Sequence, residues 1–188
     1  MSEIKNHGKS IRARLLNVAK QEEVFYQTIL TRYFQERLLY RISQTRYREN
    51  FYLKGGALMY AYERFAARPT LDIDFLGTRI SNDGERIAEA FREICSVDCK
   101  EDGVQYDCDK IVTQNITEFK DYHGVRLSIP VTMDTIAQVL TMDVGFGDVV
   151  TPHPVALDYP LLLEGLPEAS ILAYSTETVI AEKMHAII

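Results

Sequence analysis

The chain has 188 residues, 46% hydrophobic and 26% charged, enough for one domain with a sizeable core and too ordinary a composition for a disordered or fibrous protein. No apolar run reaches the roughly 18 residues of a membrane span, and the opening MSEIKNHGKSIRARLL lacks the apolar stretch and cleavage site of a secretion signal, so a cytoplasmic protein is expected. The net charge of −6 is uneven: residues 1–54 carry 11 Lys and Arg against 5 Asp and Glu, and residues 55–188 carry 10 against 22, which leaves either a solvated helical face or a phosphate-facing surface to the N-terminal part.

In chain order, SIRARLLNVAKQE places Ile11, Leu15, Leu16 and Ala19 at helical spacing behind Ser10 as an N-cap candidate. EEVFYQTILTRYFQERLLYRISQT predicts a longer amphipathic helix, apolar at Val24, Phe25, Ile29, Leu30, Tyr33, Phe34, Leu38 and Ile42 and polar at Arg32, Glu36, Arg37 and Arg41. Tyr26, Tyr33 and Tyr40 recur every seven residues there, a spacing that core packing explains better than base stacking. Phe51–Leu53 reads as a short strand, Gly55-Gly56 as a turn, and ALMYAYERFA as a helix.

LDIDFLG alternates, with Leu71, Ile73 and Phe75 on one face and Asp72 and Asp74 on the other. SNDGERIAEAFREICSV predicts a helix capped by Ser81 or Asn82. From Val104 the chain turns β-rich: YDCDKIVTQNITEF, GVRLSIPVTM and AQVLTMDVGFGDVV are three candidate strands, with turns at Asp121–Gly124 and Met133–Thr135. TPHPVALDYP reads as a Pro-marked loop, YPLLLEG as a turn or short helix, and STETVIAEKMHAII as a helix capped by Ser175 or Thr176 that stops while still apolar. Cys95, Cys99 and Cys108 match no metal or disulfide spacing and are expected as free thiols. The four histidines are scattered and receive no chemistry, and Asp148 in GFGD is expected to form a turn.

Residues i and i+2 of a strand share a face, so Asp72 and Asp74 present two carboxylates together, and such like charges repel unless a cation lies between them. A hard divalent ion such as Mg²⁺, or Mn²⁺, suits that donor set. Asp143 in VLTMDVGF, alternating with Leu140 and Met142, offers a third carboxylate from another strand. Gly55 and Gly56 would let phosphate oxygens approach backbone N–H groups at a helix start, with Lys54 and Arg68 as nearby cations.

LKGGALMYAY, TLDIDFLG, LTMDVGFGDVVTP, YPLLLEG and AYSTETVIAEKMHAII, in this order, resemble the AbiEii/AbiGii abortive-infection toxin family of bacterial nucleotidyltransferases, within the polymerase-β-type superfamily. The resemblance implies an α+β fold: residues 1–48 as an N-terminal helical segment and 49–188 as a nucleotidyltransferase core, a mixed β-sheet flanked by helices, without the helical C-terminal part usual in relatives. It implies Asp72, Asp74 and Asp143 as metal-binding and catalytic residues, Gly55 and Gly56 as the phosphate-binding turn, and Lys54, Arg68 and Lys183 near the phosphates. It also implies transfer of a nucleoside monophosphate from a nucleoside triphosphate to an RNA, such as a tRNA end, or a protein acceptor, as the toxin of a toxin–antitoxin or phage-defence system with a cognate antitoxin. Two other readings stand beside it: a degenerate module that binds nucleotide or antitoxin without turnover, and a haloacid-dehalogenase-type phosphatase, which sets Asp-x-Asp at the end of the first strand of a parallel sheet.

Overall fold

A computed structural model of the chain describes residues 7–118 and 122–185. Two helices lead, α1 (His7–Gln21) and α2 (Tyr26–Ser43). Strand β1 (Phe51–Lys54), helix α3 (Gly55–Glu63), strand β2 (Asp72–Gly77) and helix α4 (Gly84–Cys95) follow. Then come β3 (Gln105–Tyr106), β4 (Val112–Glu118), β5 (Tyr122–Met133), β6 (Ile136–Phe146), β7 (Val155–Tyr159), β8 (Ala169–Ala173) and α5 (Thr176–His185).

Among the described residues the eight strands form one sheet in the order β3-β5-β6-β2-β1-β8-β7, with β4 pairing β5 beyond the end of β3. The sheet is mixed: β2 runs parallel to β6 and β1 parallel to β8, while β1–β2, β5–β6 and β7–β8 are antiparallel. The architecture is α+β, as expected. No described helix is long and apolar enough to cross a membrane, and all three cysteines are free of disulfides.

The alternation in LDIDFLG builds the central layer. Ile73 and Phe75 point into the core, where Phe75 meets Phe51 of β1 and Phe91 of α4 with ring centroids 5.9 and 6.4 Å apart. Asp72 and Asp74 are left on the opposite face. Leu71 does not join the buried face, because β2 begins at Asp72; it stands outside the strand, 74% exposed.

The structure differs most from the sequence reading in α2. Its polar stripe is not solvated: Arg32, Glu36, Arg37 and Arg41 are all buried. The physical reason is that connecting segments wrap the helix, and their backbone groups need partners once water is excluded. Arg37 Nη2 donates to the Pro167 carbonyl, Glu36 accepts from the Leu162 N–H, and Arg41 forks onto Asp102 at 2.7 and 3.3 Å. The basic excess of residues 1–54 is therefore partly internal wiring, and Tyr33, fully buried, fits the core-packing reading.

Smaller differences have local causes. Ser10 lies inside the first helix, which is described from His7 on, rather than capping it. Asp83 caps α4 by accepting the Arg86 N–H, while Ser81 accepts the Asp83 N–H one step earlier. Gly55 and Gly56 form the first turn of α3 rather than a separate turn. Part of the Pro-marked loop pairs as β7 with β8, and ASILA, which is apolar but too short to show a period, is β8 itself. The turn expected at Asp121–Gly124 overlaps β5 from Tyr122 on, and Asp121 lies outside the described residues. The turn at Met133–Thr135 is present, with Asp134 in the left-handed region at φ 54°. Ser175 caps α5, its Oγ accepting the Thr178 N–H.

Candidate active site

Strand register decides which charges meet. Lys54 of β1 is paired with Asp74 of β2, Asp74 with Asp143 of β6, and Asp143 with Arg126 of β5. Directly paired residues share a face, so the sheet carries a row across four adjacent strands whose charges read plus, minus, minus, plus. Asp72 lies two residues from Asp74 on that face. The reverse face at the same level carries Ile73, Met142 and Leu127, all fully buried, and this apolar floor holds the charged row in place.

The row is closely backed by backbone. Gly55 has φ +65°, and a Cβ there would stand 2.1 Å from Asp74 Oδ2. The carboxylate thus lies against the glycine itself, at the start of α3, where free N–H groups carry the helix's positive end. A Cβ on Gly56 would stand 2.7 Å from the side chain of Thr70. Thr70 belongs to the connector leading into β2, and α2 grips that connector: Arg32 donates to the Ala67 carbonyl at 3.1 Å and Gln35 to the Leu71 carbonyl at 3.3 Å. Two buried side chains of α2 therefore set where the Asp-x-Asp strand begins.

The electrostatics follow from this crowding. Burial first, then the neighbouring Asp143 charge, push the Asp74 carboxyl up to about 6, with Lys54 acting in the opposite sense. Lys54 does not face open solvent; its ammonium reaches Asp148 at 2.9 Å and Glu182 at 2.5 Å. Burial works against its charge, but those two hydrogen bonds outweigh it and raise its pKa. Asp148, buried in part, is held below the usual carboxylate range by Lys54 and by the Tyr174 hydroxyl, which donates to it at 2.7 Å. At the other end, Arg126 forks onto Asp143, Nε to Oδ1 at 2.7 Å and Nη2 to Oδ2 at 2.6 Å.

Of the residues expected from sequence, the structure brings Lys54, Gly55, Asp72, Asp74 and Asp143 to one place, with Gly56 beside them against Thr70. Arg68 is exposed in the connector and Lys183 exposed on α5; neither has an ion pair among the described residues. Sequence reading missed Arg126 and Glu182 and took Asp148 for a turn residue. The alternation of GVRLSIP does put Arg126 opposite Val125 and Leu127, but only the β5–β6 register tells that it faces Asp143.

Carboxylate oxygens crowded enough to raise the proton affinity of Asp74 suit a hard divalent cation. Among the described residues no three His, Cys, Asp or Glu side chains close around an ion unaided, and both oxygens of Asp143 are turned to Arg126. The donors fit an ion whose shell is completed by water and phosphate oxygens, the usual habit of Mg²⁺. An open cleft of about 450 Å³ lies beyond the ends of β2 and β6 and includes Gly77, Arg79, Phe146 and Asp148 but none of the row's aspartates.

Gly55→Ala is expected to destabilise the fold by about 1–2 kcal/mol from left-handed strain alone. It should also weaken binding of Mg²⁺-tripolyphosphate about tenfold or more by displacing Asp74. Denaturant melts and calorimetry on the same sample check both; an alanine variant with unchanged affinity would separate the glycine from phosphate binding.

A family model for the nucleotidyl transferase AbiEii toxin of type IV toxin–antitoxin systems matches residues 37–188. No curated protein matches the sequence. Among solved structures, the fold is similar to a candidate nucleotidyltransferase from H. pylori, with TM-score 0.50 and 15% identity over 86% of this chain and 59% of that one. It is also similar to JHP933 from Helicobacter pylori, with TM-score 0.50 and 15% identity over 84% of this chain and 56% of that one. The chain spans less than three fifths of either neighbour's length.

Proposed function

Because the chain belongs to the AbiEii nucleotidyl transferase toxin family, we propose that it transfers a nucleoside monophosphate from a nucleoside triphosphate to an acceptor hydroxyl in a metal-dependent reaction. The observation that carries this reading is the register that sets Asp74 beside Asp143 on one sheet face, with Asp74 packed on the bare backbone of Gly55. The mixed sheet argues against the phosphatase alternative: Asp72 and Asp74 open β2, which runs antiparallel to β1, rather than ending the first strand of a parallel sheet.

In this reading Asp72, Asp74 and Asp143 hold Mg²⁺ or Mn²⁺. When bound, the ion supplies Lewis-acid polarisation of the α-phosphoryl oxygens. Backbone N–H groups at the start of α3 donate to phosphate oxygens, and Arg68 and Lys183 lend positive charge to the triphosphate tail. Lys54 keeps the row's carboxylates from repelling one another apart. Asp143 accepts the proton of the attacking hydroxyl, and pyrophosphate leaves. The acceptor is an RNA, such as a tRNA end, or a protein side chain. The setting is a cytoplasmic toxin–antitoxin system with a role in phage defence, with the N-terminal helices as a lead-in to the catalytic core.

The test uses four α-labelled triphosphates with total RNA and total protein as acceptors. Label should move to a macromolecule with release of pyrophosphate. EDTA should reduce the rate at least about a hundredfold, and Mg²⁺ or Mn²⁺ should restore it. Orthophosphate as the product, or transfer indifferent to EDTA, would overturn the proposal. Thermal stabilisation by a nucleotide without any transfer would select the binding-only reading instead.

A further inference from the structure

We infer that Arg126 is a built-in competitor of the metal, holding Asp143 until the phosphates of a nucleotide take the guanidinium away. The inference rests on the metal-site reading above and concerns a residue to which that reading gives no role.

The geometry carries it in three steps. First, both oxygens of Asp143 are engaged by one guanidinium, at 2.7 and 2.6 Å. An ion sharing Asp72, Asp74 and Asp143 needs at least one of those oxygens. Metal and arginine therefore compete for the same two oxygens, with like charges that oppose each other there. Second, Lys54 is already engaged by Asp148 and Glu182, so among the described residues Arg126 is the cation bonded directly to the row's carboxylates. A bare divalent ion entering beside Asp143 places two positive charges next to that guanidinium. A triphosphate entering with the ion reverses that sign. Third, the Arg126 side chain is 43% exposed, so it can turn off the sheet without opening the core. A guanidinium forks a phosphate as readily as a carboxylate. Arg126 then moves from Asp143 to the phosphate oxygens as Asp143 turns to the ion. Ion and triphosphate each tighten the other's binding, because each removes what opposes the other.

A purely structural role, pinning β5 to β6, makes a different prediction: substitution would loosen the sheet and leave metal affinity unchanged or lower. The experiment is a Mn²⁺ titration followed by electron paramagnetic resonance, on the wild-type chain and on Arg126→Gln and Arg126→Lys, with folding of each confirmed by circular dichroism. Arg126→Gln should bind Mn²⁺ alone about tenfold tighter than wild type, and Arg126→Lys, which keeps the charge but not the fork, should fall between. By calorimetry in saturating Mg²⁺, inorganic tripolyphosphate should bind Arg126→Gln about tenfold more weakly. If wild type binds Mn²⁺ and folded Arg126→Gln binds it no tighter, the competitor role is overturned and the metal site survives. If neither binds Mn²⁺ at millimolar concentration, the inference falls together with the metal site.

Discussion

Asp74→Asn is expected to abolish nucleotidyl transfer and, in metal-free buffer near neutral pH, to make the protein more stable. The first effect follows from the position of the carboxylate, between Asp143 on the paired strand and the backbone of Gly55. An amide keeps the shape but loses the charge, and the loss should be about a thousandfold or more in rate. The second effect follows from the same crowding. Burial and Asp143 raise the Asp74 carboxyl to about 6 from an ordinary 3.8. In the window between those values the native state binds more protons than the unfolded chain, so stability falls as pH rises from about 4 to about 6. Above that window the ionised carboxylate costs about 2 kcal/mol after allowance for its partial exposure. Asparagine removes the cost. Urea melts at pH 5 and pH 7.5 in EDTA should show a wild-type loss across that range that the variant lacks. A variant less stable than wild type at pH 7.5 would show that the carboxylate is held by partners rather than strained by them. Mg²⁺ added to wild type should recover part of the difference by binding only the folded state.

Asp102→Ala should be strongly damaging to the fold. Asp102 is fully buried in the segment after α4, and Arg41 of α2 is 2% exposed. The carboxylate takes Arg41 Nη1 at 2.7 Å and the Val104 N–H at 2.9 Å. Alanine leaves a buried guanidinium without its counter-charge, a loss of about 3–5 kcal/mol, or a fall in melting temperature of about 10 °C for a chain this size. The paired replacement of Arg41 by Met and Asp102 by Leu should recover most of it, because it removes both charges and keeps the volume filled. A single variant that loses less than about 1 kcal/mol would show that water reaches Arg41.

The two predictions mark how differently the fold and the site could be read from sequence. Helices and strands with a clean period were legible, as with α4 and the alternation of β2, because burial imposes the period directly. The buried charges of α2 were not. Arg32, Glu36, Arg37 and Arg41 look like a solvated stripe until Ala67 and the connectors at 102–104 and 162–167 are seen to wrap them. Strand β8 was missed because ASILA is too short to show any period, and β7, which lies wholly within the segment read as a loop, because the prolines around it mask it.

The sequence by itself determined the donor chemistry: the Asp-x-Asp alternation of β2, a glycine pair ahead of a helix, and a third aspartate in a later strand. These are local facts, fixed by residue type and by a period of two. Only the tertiary structure decided which of these groups meet, because strand register is set by packing on the far face of the sheet, where Ile73, Met142 and Leu127 lock β2, β6 and β5 together. A slip of one residue would turn Asp143 into the core and leave Asp74 without its neighbour. For the same reason, no reading of GVRLSIP alone could show that Arg126 holds the aspartate assigned to the proposed metal site.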